Sequence, residues 1–107
     1  MAKKARITIC ADSDRREVDG YLVSPDIGII DTGEGWITIN LKTGNKLVGP
    51  TGVFSLKRQC LGFAEYLVDT VPSWDFTTKE EMYSVCDKDW WLQTYNKAID
   101  FANGICY

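Results

Sequence analysis

Apolar and polar residues alternate through the first half of the chain, which is the period of a β-strand. Ala5, Ile7 and Ile9 share one side of an N-terminal strand, and residues 36–41 show the same alternation most clearly. The charged segment of residues 11–20 contains no apolar run, so it is predicted to be a solvated connection. Residues 21–24 and 27–30 supply two further short strands.

Short turns join these predicted strands, and they indicate antiparallel neighbours. Residues 42–45 are typical of a hairpin loop, with Gly44 at the position that requires a positive φ, and residues 46–48 form the return strand. The first half of the chain therefore predicts an antiparallel β-meander of about five strands over residues 4–48.

The spacing of apolar residues changes to that of helices after residue 49. A first helix is predicted at about 55–71, with Ser55 as its N-cap and Pro72 beyond its end. Thr77 and Thr78, each followed three residues later by a glutamate, predict the start of a second helix at about 78–86.

A third helix is predicted at about 88–103. The apolar stripe around Trp91 lies about 180° around a continuous helix from Met82, so one straight helix cannot bury both. We therefore expect a break at residues 87–89 with Asp87 as the new N-cap, and an end at Asn103 and Gly104. The sequence predicts a single α+β domain over residues 1–107, with three helices packed on one face of the sheet.

The absence of histidine excludes several kinds of chemistry. Ser-His-Asp and Cys-His catalysis and His-ligated metal sites all require an imidazole, and the chain has none. No motif indicates a metal or a cofactor, so we expect neither. The net charge of −3 is divided into blocks of alternating sign. No strongly basic face is predicted, and we expect no direct binding of nucleic acid.

The four cysteines, at positions 10, 60, 86 and 106, include no pair with the two-residue gap of zinc ribbons or thiol redox centres. The N-terminal apolar run is too short for a signal peptide, and no stretch has the roughly 20 apolar residues of a membrane span. We therefore expect a cytoplasmic protein with reduced thiols, in which Cys10, Cys60 and Cys86 belong to the core and Cys106 is exposed.

Residues 31–33 have the sequence Asp-Thr-Gly after two isoleucines, and this resembles the active-site turn of aspartic proteases. Residues 47–49 also resemble the second hydrophobic-glycine element of the retroviral members, which are homodimers. The resemblance implies a hydrolase in which Asp31 pairs with the same residue of a second copy and activates water. The gap between the two elements is too short for a flap, and a turn between strands favours the same residues.

A second candidate site lies at the start of the first predicted helix. Gly52 and Ser55 precede Lys57 and Arg58, and these cations oppose the helix macrodipole. Free N–H groups with two cations suit a phosphate or a carboxylate, so the alternative function here is a small-anion or nucleotide-binding domain. Pairing of both cations with acidic neighbours explains the same residues.

The aromatic residues predict a third site. Trp36, with Thr38 and Asn40, is expected on the sheet face opposite Ile37 and Ile39, and that face is expected to be the outer one. Trp74 and Phe76 fall in a connection between helices, and Trp90 lies beside the stripe of Trp91. Surplus aromatic residues serve either as interface anchors or as core, and both alternatives stay open.

Together these observations favour a non-enzymatic protein-binding module, such as a small intracellular inhibitor or adaptor. Proteins of this size are common among phage and mobile-element accessory factors, including anti-defence proteins such as anti-CRISPRs. The predicted partner is a protein, and the predicted contact residues are Trp36, Thr38, Asn40, Trp74, Phe76 and Trp90. Pairing of edge strands would also allow a homodimer.

Overall fold

A computed structural model describes residues 3–11, 14–47 and 53–105 of the chain. An antiparallel sheet of β1 (Lys3–Ala11), β2 (Asp14–Leu22), β3 (Ile27–Asp31), β4 (Trp36–Asn40) and β5 (Asn45–Lys46) has its strands in chain order. The helices α1 (Lys57–Thr70), α2 (Lys79–Val85) and α3 (Lys88–Asn103) follow. The predicted α+β fold is confirmed. Within the described ranges, no helix combines the length and the apolarity that a membrane crossing requires.

The charged segment predicted to be a solvated connection is instead most of β2, and this prediction was wrong. β1 and β2 pair along their whole length and form a two-stranded ribbon. Val18 lies opposite Ile7 and packs inward, whereas Arg6 and Asp19 form an exposed ion pair of 3.1 Å on the outer side. Because Val18 is flanked at the neighbouring inward positions of β2 by Arg16 and Gly20, the strand period is hard to recognise.

The helices cover the face of the sheet that carries Trp36, Thr38 and Asn40. Thr38 and Asn40 are buried on that face, and Ile27 and Ile29 of β3 pack there against α1 and α3. The expectation that this face points outward was therefore wrong. The physical reason is that the opposite face is already covered, by the ribbon of β1 and β2.

A second core lies on that opposite face. Ile7, Ile9, Ile30 and Ile39 are buried in it, and Val18, Ile37 and Leu41 pack against them. The backbone N–H of Cys10, near the end of β1, donates a hydrogen bond of 2.9 Å to the carbonyl oxygen of Gly44 in the β4–β5 turn. The sheet thus curls into a partly closed barrel, with helices outside and aliphatic residues inside.

The helix ends show which capping residues the local sequence predicts correctly. Thr78 accepts a hydrogen bond from the backbone N–H of Glu81, and Asp87 accepts one from that of Trp90, so both predicted caps are confirmed. Gly104 is the C-cap of α3, and Gly44 has the predicted positive φ of 76°. The predicted Ser55 cap was wrong, because α1 begins after Leu56 and has no side-chain cap.

Candidate functional site

A cavity of about 500 Å³ opens at the mouth of the partly closed barrel. Its walls come from the ends of all five strands. The floor is aliphatic and the rim is mostly polar, with Ile9, Val18, Ile30, Ile37 and Ile39 below and Cys10, Arg16, Asp31, Thr32, Gly44 and Lys46 above. We call this feature the barrel mouth.

The barrel mouth exists because β2 leaves β3 early. β2 pairs with β1 over nine residues but with β3 only from Gly20 to Leu22. From Asp14 to Asp19, β2 pairs with β1 but has no β3 residue beside it. The inward side chains of β2 and β3 therefore border a space that neither strand fills. Ile37 is half-buried at this point, although Ile39 deeper in the barrel is fully buried.

Hydrogen bonds fix the polar rim of the barrel mouth. A carboxylate oxygen of Asp31 accepts a hydrogen bond of 2.9 Å from the backbone N–H of Gly33, and the Thr32 hydroxyl donates to the carbonyl oxygen of Gly35 at 2.9 Å. The Cys10 thiol donates to the carbonyl oxygen of Thr43 at 3.2 Å. The rim therefore presents cationic, anionic and thiol groups on a fixed backbone.

The hydrolase predicted from Asp31 needs a second carboxylate. Asp31 is exposed in the β3–β4 turn, and it is the one carboxylate among the described residues that line the barrel mouth. Leu47, from the second matching element, packs against the helix-covered core instead, and residues 48 and 49 lie outside the described ranges. In the resembled retroviral proteases the second carboxylate comes from a second copy of the chain, so the hydrolase based on Asp31 stays a prediction.

The residues predicted to contact a partner lie mainly in the helix-covered core, which corrects the expected exposure. Asn40, Thr38, Trp74 and Phe76 are between 2% and 7% exposed. Their burial follows from the sheet face that the helices occupy, and from an aromatic cluster in which Trp74 and Phe76 surround Trp91 at 6.0 and 5.7 Å between ring centroids.

Polar contacts give two of these residues structural roles. The Thr38 hydroxyl lies 3.5 Å from the thiol of Cys60 in α1, and Asn40 accepts a hydrogen bond from the backbone N–H of Lys42. Trp36 and Trp90 are half-buried. The Trp36 ring is tilted by 43° against the Tyr21 ring, and the Trp90 ring meets the Trp91 ring edge to face at 88°.

Two described residues of the predicted anion site contact neighbouring side chains. Gly52 lies outside the described residues. The Ser55 hydroxyl donates to the side-chain oxygen of Gln59 at 3.5 Å, and Arg58 is exposed. The Lys57 ammonium group lies 3.5 Å from the centre of the Tyr21 ring, a cation–π contact that ties α1 to β2. Anion binding at this helix end stays a prediction.

The thiols follow the prediction in part. Cys10, Cys60 and Cys86 are all free, but only Cys60 is fully buried, and the other two are half-buried. Burial raises the pKa of the Cys60 thiol to about 11. Cys106 lies outside the described residues. Among the described residues, no group of three potential ligands is arranged to hold a metal ion.

Sequence reasoning did not find the barrel mouth. The sequence predicts Ile37 and Ile39 beneath the helices and Arg16 and Val18 in a loop, whereas the structure places all four in the lining of the barrel mouth. One signal was present in the sequence: β1 and β4 each have an apolar side, and β3 has apolar residues on both sides. A strand that is buried on both faces requires a second layer of chain over the sheet.

Comparison of the chain with protein-family profiles, with curated proteins and with solved structures finds no match in any of the three. The function proposed below therefore rests on the barrel mouth itself.

Proposed function

We propose that this chain is a non-enzymatic protein-binding module that holds an apolar side chain of its partner in the barrel mouth. The observation that carries the proposal is the open cavity of about 500 Å³ with a floor of five aliphatic residues. Pockets that bind ligands commonly have about 300–1,000 Å³ and an apolar lining with a few polar groups at defined positions. The barrel mouth has both properties.

A polypeptide fits this site better than a small molecule, because sheet edges border it. β1 and β5 are the two edge strands, and the barrel mouth includes Cys10 of the former and Lys46 of the latter. The backbone N–H of Cys10 is already bonded to Gly44, but other backbone groups of the edge strands can pair with an extended segment while the cavity takes one of its side chains. Backbone pairing supplies affinity and the aliphatic floor supplies selectivity.

The biological role within this proposal is that of a small cytoplasmic inhibitor or adaptor, of the kind found among phage anti-defence proteins such as anti-CRISPRs. What supports it is the architecture: a cavity with an aliphatic floor and a mostly polar rim, bordered by two edge strands, in a chain whose described cysteines are free thiols.

A random-peptide selection tests the proposal. The full wild-type chain is the bait, and each enriched peptide is afterwards measured against Ile37→Lys, which places a charge on a half-buried residue of the barrel mouth. We expect the enriched peptides to share a large aliphatic or aromatic residue and to bind Ile37→Lys at least about tenfold more weakly, because burying one such side chain contributes about 1.5–3 kcal/mol.

Leu92→Lys is the matched control, since Leu92 is 59% exposed on α3, away from the barrel mouth. Peptides that bind the wild type and Ile37→Lys equally would contradict the assigned site. Sedimentation of the free chain adds a further check. If the wild-type chain forms a dimer and Ile37→Lys is monomeric, the barrel mouth is occupied by a second copy of the chain. That result would overturn the proposal of a separate partner protein.

A further inference from the structure

A smaller cavity, of about 160 Å³, lies between the β4–β5 hairpin and the start of α2. Residues of the hairpin line one part of it, residues 76–79 line another, and α3 contributes Tyr95. Its volume is that of about five water molecules in the liquid, so it suits one small group rather than a large ligand. We call this feature the hairpin pocket.

The Tyr95 hydroxyl in the lining of the hairpin pocket is a buried group without a partner. Its oxygen is inaccessible to solvent, and no described residue forms a hydrogen bond with it. Native structures rarely leave such a group unsatisfied, because an unpaired buried polar atom costs free energy. Burial also raises the pKa of Tyr95 above its ordinary 10, so the hydroxyl keeps its proton and can donate it. The described part of the chain supplies no acceptor for this donor.

Asn40 adds a second donor to the hairpin pocket. It is 4% exposed, and its side-chain oxygen accepts a hydrogen bond of 3.0 Å from the backbone N–H of Lys42. That bond fixes the orientation of the amide, and no described residue accepts a hydrogen bond from the amide nitrogen. The Thr43 hydroxyl accepts from the backbone N–H of Asn45 at 3.2 Å, which leaves its own proton to donate. These neutral groups therefore offer donors rather than acceptors.

The charged residues of the hairpin pocket are all cationic. Lys46 and Lys79 line it, and none of its described lining residues is acidic. Neither ammonium group forms an ion pair with a described carboxylate. The hydroxyls of Thr77 and Thr78 also line the pocket, but both already donate to the Glu81 carboxylate and are not available to a ligand. Two unpaired cations and three neutral donors thus share one small cavity.

We propose that the hairpin pocket binds a phosphate group, with Tyr95 and Asn40 donating hydrogen bonds to its oxygens and the two lysines balancing its charge. A phosphate group carries a charge of about −1.5 to −2 at neutral pH and at least three acceptor oxygens, which match two ammonium groups and several donors. A carboxylate has one charge and two oxygens, so it satisfies the same donors less completely.

This inference goes beyond the proposed function, because it requires no partner at the barrel mouth. Lys46 is the one described residue that lines both cavities. The variants that test the hairpin pocket therefore change Tyr95 and Lys79 and leave Lys46 in place.

The test is an NMR titration of the full, ¹⁵N-labelled chain with inorganic phosphate at neutral pH, with chloride added to hold the ionic strength constant. We expect saturable amide shifts in residues 40–47 and 76–82. Acetate under the same conditions is the control ligand, and we expect it to bind at least about fivefold more weakly, because it makes fewer charge-assisted hydrogen bonds.

A second titration identifies the source of the phosphate group. The ligand is the acetylated and amidated peptide Gly-Ser-Ser-Ser-Gly with its central serine phosphorylated, and the unphosphorylated peptide is its control. Tighter binding of the phosphopeptide than of inorganic phosphate would assign the hairpin pocket to a phosphorylated side chain. Tighter binding of inorganic phosphate would assign it to the free ion, and either result supports the proposal.

Variants separate the hydroxyl from the charge. Tyr95→Phe removes only the unpartnered hydroxyl and should weaken phosphate binding about fivefold or more, while the melting temperature of the free chain stays unchanged or rises. Lys79→Gln should weaken binding about two- to fivefold. The matched controls are Tyr66→Phe on α1 and Lys88→Gln, since Lys88 begins α3 as Lys79 begins α2. Both controls should leave the phosphate affinity unchanged.

Three results of the titrations would overturn the proposal: no saturable shift with phosphate, equal binding of acetate, or an unchanged phosphate affinity in Tyr95→Phe. A lower melting temperature of free Tyr95→Phe would show that the hydroxyl is already bonded, for example to a water molecule, and would overturn it as well. Ile37→Lys should bind phosphate like the wild type. Loss of phosphate binding leaves the peptide selection at the barrel mouth untouched, so the two proposals fail separately.

Discussion

Two glycines determine how closely the ribbon of β1 and β2 lies over the sheet. A Cβ atom added at Gly20 would lie 2.7 Å from Ile7 Cδ1 and 2.6 Å from the carbonyl oxygen of Ile29, and one added at Gly28 would also lie 2.7 Å from Ile7 Cδ1. Real Cβ atoms do not approach other atoms so closely. The absence of two side chains therefore lets Ile7 enter the inner core, where it is 1% exposed.

Gly20→Ala should lower the free energy of unfolding by about 1–3 kcal/mol, because the added methyl group overpacks a filled core and meets backbone as well as side-chain atoms. Urea denaturation measures the change. Gly104→Ala is the control, since Gly104 has a φ of −76° and ordinary surroundings, and it should be neutral or slightly stabilising. Equal stability of Gly20→Ala and wild type would show that the ribbon lies further from β3.

Glu81 gives the first turn of α2 a dependence on pH. Its carboxylate accepts hydrogen bonds from the backbone N–H and the hydroxyl of Thr77, and these bonds hold the pKa of Glu81 below its ordinary 4.5. A lowered folded-state pKa contributes stability that is complete above pH 4.5 and is lost as the pH falls through the lowered value.

Glu81→Gln should therefore flatten the decline of stability below pH 4.5 and reduce stability at neutral pH, where the wild-type carboxylate is charged. Thermal melting from pH 2 to pH 7 measures both effects. Glu80→Gln is the matched control in the same helical turn. The same acid decline in Glu81→Gln as in the wild type would mean that these hydrogen bonds do not persist in solution.

At the scale of elements, the sequence predicted the helix caps and turns correctly where they depend only on residues within about four positions. The Thr78 and Asp87 caps, the Gly44 turn and the end of α3 are all confirmed, because each requires only a side chain and the backbone next to it. The Ser55 cap was wrong for a related reason: a serine before an apolar run predicts a cap only if the helix begins at the next residue, and α1 begins two residues later.

The sheet faces and the barrel mouth could not be predicted in the same way. A period of two shows that Trp36 and Ile37 point in opposite directions, but not which of them meets the helices. Which face meets the helices depends on β1 at the N-terminal end of the chain, because Ile7 and Ile9 cover the face that carries Ile39. Because the charged residues of β2 predict a loop, the sequence predicts neither the second layer of chain nor the barrel mouth.

The junction between α2 and α3 provides a test at this scale. Asp87→Ala removes the hydrogen bond of 2.7 Å to the backbone N–H of Trp90 and should cost about 0.5–2 kcal/mol. Asp89→Ala, in the first turn of the same helix but not the capping residue, should cost less. Urea denaturation of both variants measures the difference, and an equal loss would mean that only the charge matters.

At the scale of the whole molecule, one sheet separates two cores. The helix-covered core contains Cys60 and the barrel mouth contains Cys10, so each side has a chemical reporter. The two thiols differ in burial, and Cys60 also has a pKa of about 11.

We expect iodoacetamide at pH 8 to alkylate Cys10 at least about 100-fold faster than Cys60, because the thiolate is the reactive form and Cys60 forms little of it. Peptide mapping by mass spectrometry follows both sites. Cys60 should react only as the whole chain unfolds, and its rate should rise in Gly20→Ala. A peptide bound at the barrel mouth should slow Cys10 alone. Comparable rates at the two thiols would show that the helices detach from the sheet readily.

The pairing of β2 with β3 is short, so backbone pairing joins the ribbon to β3 mainly at one end. Among the described residues, backbone pairing joins the ribbon to β3 at Gly20, Tyr21 and Leu22, and the hydrogen bond from Cys10 to Gly44 joins it to the β4–β5 turn. The arm from Gly20 to Asp14 has six steps of about 3.3 Å, or about 20 Å, so a rotation of about 10° at its base moves the tip by about 3.5 Å. The width of the barrel mouth therefore depends on two places, the pairing at residues 20–22 and the Cys10–Gly44 hydrogen bond near the tip, which such a rotation would break.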